Sequence, residues 1–133
     1  MKTVFADSYY FLAFVNPRDA GHERALDFSR SYRGRSLTTE WVLAEVADAL
    51  SAPDQRGLFQ ELLAQVRSDP GFAIVEATHD LFDRGVELFS ERPDKSWSLT
   101  DCISFVVMDQ QGTKEALTAD HHFQQAGFVA LLT

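Results

Sequence analysis

The chain has 133 residues, 45% hydrophobic and 12% aromatic, which is enough to fill one core and argues against disorder. A net charge of −8 argues against a broad basic face for nucleic acid and suits a basic protein partner. A single cysteine excludes an internal disulfide, and the longest apolar run, Tyr9 to Val15, is far too short to span a bilayer.

Lys2-Thr3-Val4-Phe5-Ala6 reads as a short buried strand ending at Asp7. Asp7 also interrupts the N-terminus before any signal-peptide core could form, so the expected compartment is the cytoplasm. Ser8 to Val15 reads as a short helix closed by Asn16-Pro17. Asp19 is expected to cap a helix from about Ala20 to Tyr32, with Ala25 and Phe28 facing inward and His22 exposed or at the core edge. Ser36-Leu37-Thr38 is a minimal strand, and Thr39 caps the helix that follows. There Val42, Leu43, Val46 and Leu50 keep helical spacing, with Glu45 on the flank of their stripe. Pro53 ends that helix, and Asp54 is expected to cap another with Leu58, Leu62 and Val66 inside.

Pro70-Gly71 is a turn before the strand Phe72–Val75, and Thr78 or His79 starts a helix through Leu81, Phe82, Val86 and Phe89. After the loop Arg92–Lys95, Ser98 and Asp101 have the spacing of a capping box ahead of an almost wholly apolar helix. Cys102 reads there as a small buried hydrophobe, and Gly112 fits the position just past the helix end. Ala116-Leu117-Thr118 is a strand leading to Asp120, His121 to Ala126 a helical turn ended by Gly127, and Phe128 to Leu132 the last strand. Strands alternate with helices throughout, so the expected fold is α/β, one domain over residues 1–133, with a mainly parallel sheet between helical layers.

Asp7 follows the first predicted strand and Asp120 the fourth. Ligands of open parallel sheets bind beyond the carboxyl ends of the strands. Asp101 and Glu45 lie on helices that begin or pass near the same edge. Taken singly, Asp7, Asp101 and Asp120 could each be a cap, and Glu45 a solvated flank. Together the four can converge on one rim, where they would repel one another unless a cation is present. Mg²⁺ and Mn²⁺ take such oxygen ligands, and a cluster of this kind activates water and stabilises a phosphate being cleaved.

With these residues in place the chain resembles the PIN-domain ribonucleases, and within them the VapC-like toxins of toxin–antitoxin pairs. The carriers are Ala6-Asp7-Ser8, then Thr38-Thr39-x-x-Val42-Leu43-x-Glu45-Val46, then Asp94-Lys95-x-Trp97-Ser98-Leu99-Thr100-Asp101-Cys102-x-Ser104-Phe105, then Ala116-Leu117-Thr118-x-Asp120-x-x-Phe123-x-x-Ala126-Gly127-Phe128. Each piece is common alone; the set, in this order, covers nearly the whole chain. The resemblance implies a three-layer α/β/α sandwich and a metal-dependent ribonuclease. It also implies that Asp7, Glu45, Asp101 and Asp120 bind Mg²⁺ or Mn²⁺, that the chain is a homodimer, and that an antitoxin segment blocks the site. Ser8, Ser98 and Thr118 match small polar positions that could orient carboxylates or water.

Tyr9-Tyr10-Phe11 is bulkier than in many relatives, and RNA contact falls to scattered cations such as Arg18, Lys95 and Lys114. His121 and His122 are expected to serve packing or hydrogen bonding beside the site, because an oxygen-rich cluster already satisfies a hard cation. A receiver domain would need an acidic pair after the first strand and a late lysine; a haloacid-dehalogenase phosphatase would need an acid where Tyr9 stands. The remaining alternatives are a PIN-like module that binds RNA or protein without cutting, and a housekeeping RNA-processing nuclease without an antitoxin.

Overall fold

The computed structural model describes residues 2–133. Its strands are β1 (Thr3–Ala6), β2 (Arg35–Thr39), β3 (Phe72–Val75), β4 (Glu115–Leu117) and β5 (Val129–Ala130), and its helices are α1 (Ser8–Val15), α2 (His22–Ser31), α3 (Glu40–Ala49), α4 (Arg56–Ser68), α5 (His79–Glu91), α6 (Leu99–Gln111) and α7 (His121–Gln125). The five strands form one sheet in the order β3-β2-β1-β4-β5, and every pairing is parallel. The expected "mainly parallel" sheet is therefore wholly parallel, flanked by helices as in an α/β/α sandwich. Val4, Phe5 and Ala6 of the central strand are fully buried, as a strand covered on both faces requires.

The strand order reverses at β1. The chain builds outward from β1 to β2 and β3, then returns to place β4 on the other side of β1. Ala6 stands in register with Leu117, so β1 and β4 end side by side. Such a reversal leaves a crevice beyond the strand ends, because the connections leave in opposite directions.

α6 is the internal helix of the fold: Cys102, Ile103, Phe105, Val107 and Met108 are all buried. Both bonds of the predicted capping box are present, with Ser98 Oγ accepting from Asp101 N at 3.0 Å and Asp101 Oδ2 accepting from Ser98 N at 3.1 Å. Gly112 closes the helix with φ +68°, a conformation that other residues adopt at a cost. Trp97, just ahead of α6, packs edge-on to Phe105 and donates from Nε1 to Gln125 Oε1 at 3.0 Å. Phe105 in turn meets Phe123 of α7 edge-on, and Phe123 also meets Phe5 of β1. This aromatic chain fixes α7 against both β1 and α6.

Four local expectations change. Asp19 does not cap α2: its Oδ1 accepts from Gly21 N at 2.8 Å in a separate Asx turn, and the helix starts after Gly21. Asp54 does not cap α4, which grows out of the turn formed when Gln55 N and Arg56 N both donate to Ala52 O. Leu58 is 39% exposed, since it sits on the first turn of α4, ahead of the buried Leu62 and Val66. The last strand shortens to Val129–Ala130, although Leu131 N and Leu132 N still donate to Ala116 O and Thr118 O. His22 does lie at the core edge, with its Nδ1 2.7 Å from Ala13 O.

Candidate active site

Asp7 leaves the end of β1 as the residue before α1, and Asp120 follows β4 as the N-cap of α7, its Oδ1 accepting from His122 N at 2.9 Å. Both therefore stand at the β1/β4 reversal. Thr118 links them: its hydroxyl donates to Asp7 Oδ2 at 2.9 Å and accepts from Asp120 N at 3.0 Å. Asp101 enters from the first turn of α6 and meets His122, with Nδ1 3.0 Å from Asp101 Oδ2 and 3.4 Å from Asp120 Oδ1. Glu45, half-buried on α3, accepts a hydrogen bond from Ser8 Oγ, one residue beyond Asp7.

Each of the three small polar residues named from the sequence thus touches one of the four acids: Ser8 with Glu45, Ser98 with Asp101, Thr118 with Asp7. Two groups touch a pair of acids: Thr118 joins Asp7 to Asp120, and His122 lies between Asp101 and Asp120. Among the described residues, the group whose ligand atoms all lie within 4.8 Å of one another is Asp120, His121 and His122. The reading of His122 as a hydrogen-bonding neighbour holds, but its place between Asp101 and Asp120 is not visible in the sequence. Asp101 lies 21 positions away, and only the packing of α7 on α6 closes that gap.

The electrostatics of the site centre on Asp7. Asp7 is 5% exposed, and its carboxyl is pushed up to about 7. Burial is the main cause; the Thr118 hydroxyl and the Ser8 amide pull it back, and the charges of Asp101 and Glu45 push it further up. Among the described residues no lysine or arginine pairs with Asp7, Glu45, Asp101 or Asp120. A buried carboxylate near other acids, without a cation, fits a divalent ion as the missing charge.

The chain matches the profile of the PIN domain over residues 4–129. It belongs to the PIN domain family. As a PIN domain it is 28% identical over 127 residues to the 23S rRNA-specific endonuclease VapC20 of Mycobacterium tuberculosis, covering 95% of both chains. The crystal structure of that protein, described as a Sarcin-Ricin loop cleaving toxin, superposes with a TM-score of 0.85 at 26% identity over 95% of this chain and 96% of that one. VapBC2 from Rickettsia felis, bound to promoter DNA, shares the fold with a TM-score of 0.68 at 13% identity over 96% of each chain. A toxin–antitoxin complex from Klebsiella pneumoniae does so with a TM-score of 0.67 at 15% identity, over 96% of this chain and 97% of that one. The PIN fold carries divalent-metal nucleases, and this chain has Asp7 and Asp120 just beyond the ends of two neighbouring strands.

Proposed function

We propose that this PIN domain is a metal-dependent endoribonuclease and the toxin of a toxin–antitoxin pair. The observation that carries the reading is Asp7: a buried carboxylate at the β1/β4 reversal, held by Thr118 and faced by Asp101 and Glu45, with no lysine or arginine paired to these acids among the described residues. Asp7, Glu45, Asp101 and Asp120 would hold Mg²⁺ or Mn²⁺. When bound, the ion supplies water activation and neutralisation of charge on the phosphate. The chain's own part is preorganisation. Thr118 fixes Asp7 and the Asp120 backbone; Ser98 and His122 both fix Asp101 Oδ2; Ser8 fixes Glu45. The acids are thereby set before substrate arrives, at no cost in reorganisation during the reaction.

The substrate is RNA, and 23S rRNA is the first to test, because the similar VapC20 acts on it. A basic antitoxin segment, placing Arg or Lys against the carboxylates, suits the net charge of −8. The protein is expected to act as a homodimer in the cytoplasm; among the described residues no helix is long and apolar enough to cross a membrane. The test is cleavage of ribosomal RNA by the purified chain with Mg²⁺ or Mn²⁺. Cleavage is expected to stop in chelator and to be blocked by the cognate antitoxin. Cleavage that survives chelator would remove the metal mechanism, and an unaffected rate at saturating antitoxin would remove the toxin role.

A further inference from the structure

α7 opens with two histidines directly after Asp120, and only His122 reaches both Asp101 and Asp120. His122 Nδ1 lies 3.4 Å from Asp120 Oδ1, and His121 Nδ1 lies 3.6 Å from the same oxygen. The two rings are near neighbours, with centroids 4.5 Å apart. We propose that Asp120, His121 and His122 form a second metal site, for a borderline transition-metal dication with Zn²⁺ as its natural occupant, distinct in donor chemistry from the oxygen-ligated Mg²⁺ or Mn²⁺ site.

The spacing suits one small ion. Bonds of about 2.0–2.1 Å in tetrahedral array set neighbouring donor atoms roughly 3.4 Å apart, close to both of these separations. The ligand types suit it as well, since imidazole nitrogen favours zinc, copper, nickel or cobalt over magnesium. Two of the three ligands are preset. Asp120 is held by Thr118 through its backbone and by its own capping bond to His122 N. His122 has a side chain only 19% exposed, and its neighbour Phe123 is fully buried between β1 and α6. His121, with a side chain 71% exposed, is free to rotate onto an ion. An ion on His122 Nδ1 takes the place of the proton that this nitrogen shares with Asp101 Oδ2 at 3.0 Å, which leaves that oxygen within reach as a fourth donor.

Asp120 belongs to both sites, so Zn²⁺ on the histidines would draw it away from the hard cation. Zn²⁺ would then act as an inhibitor competing for a shared ligand; this consequence rests on the proposed nuclease reading, whereas binding itself does not.

The test is calorimetric titration of Zn²⁺ into the full chain in a large excess of Mg²⁺, with Co²⁺ visible absorption as a second probe of a low-coordinate nitrogen-containing site. One equivalent per chain is expected, not displaced by Mg²⁺. His121→Gln and His122→Gln should each weaken Zn²⁺ at least about tenfold, the scale on which ligand-sphere changes act. Circular dichroism melts of both variants check that they fold, and His121 is exposed enough for its replacement to be safe. Displacement of Zn²⁺ by Mg²⁺, or undiminished affinity in folded samples of both variants, would overturn the site. Zn²⁺ binding with these losses supports it even if no RNA is cleaved, and its absence overturns it even if RNA is cleaved.

Discussion

Asp7 is the residue on which stability and chemistry oppose each other. Its carboxyl is raised by burial from an ordinary 3.8 to about 7 in the folded chain. The folded state therefore holds a proton that the unfolded state releases between those two pH values. Without metal, the contribution of Asp7 is most favourable below about pH 4 and is lost as pH rises through about 7, on the order of 3–5 kcal/mol at full extent. Asp7→Asn mimics the protonated form, and it removes no capping bond, because the Asp7 side chain makes none to α1. In chelator at pH 8 the variant should be more stable than wild type by up to about 3–5 kcal/mol, and the gap should narrow by about half toward pH 5. Urea melts at both pH values check this; a variant that is weaker at pH 8, or a gap that ignores pH, would contradict it. Mg²⁺ should stabilise wild type more than the variant, because the variant lacks a ligand.

Asp101 separates capping from catalysis in the same way. Its Oδ2 accepts from both Ser98 N and His122 Nδ1, and an Asn carbonyl oxygen can accept the same two bonds. Asp101→Asn should thus melt close to wild type while RNA cleavage falls at least about 100-fold, the scale of losing one charge-stabilising group. A gel assay beside a thermal melt reads both, and retained cleavage would show that Asp101 is only a cap.

At the scale of elements, the seating of α5 on α6 depends on one missing side chain. Gly85 is buried in mid-helix, where alanine would be the better helix former by about 1 kcal/mol. A Cβ there would collide with Cγ1 of Ile103, which is fully buried and stiff through its β-branch. Overpacking of this kind costs about 1–3 kcal/mol, more than the propensity gain. Gly85→Ala should therefore lower the melting temperature despite the better propensity, and a rise would mean that the two helices can move apart freely. The sequence gives no warning here, because a glycine inside a helix pattern reads only as a weakness until its neighbour is known.

At the scale of the molecule, α5 also leaves Phe82, Val86 and Phe89 exposed at 42%, 37% and 50%, spaced along one side of the helix. An exposed apolar row along one helix face suits a protein contact. The proposed homodimer assigns it to a second copy, so Phe89→Glu should shift sedimentation toward monomer without unfolding the chain. A wild type that sediments as monomer, or a variant that stays dimeric, would remove that assignment.

Much of this molecule is determined by local sequence. The helix starts at Thr39 and Ser98 follow from side chains bonding backbone a few residues away, and the stop at Gly112 from a left-handed backbone that glycine adopts freely. The α/β alternation follows from apolar runs whose lengths and spacing hold wherever the segments pack. The positions of Asp7, Glu45, Asp101 and Asp120 at the ends or flanks of apolar elements were legible for the same reason. Errors arose where two local choices lie close in energy, as at Asp19 and Asp54, where a turn takes the bond that a helix cap would have used. Tertiary structure alone decided the strand order, and with it the reversal that brings Asp7 and Asp120 together across Thr118. It alone placed His122 against Asp101, set Gly85 on Ile103 and drove the Asp7 carboxyl toward neutrality. Each of these rests on contacts between residues far apart in the chain, whose free energy comes from burial, and burial is fixed only when the layers close over one another.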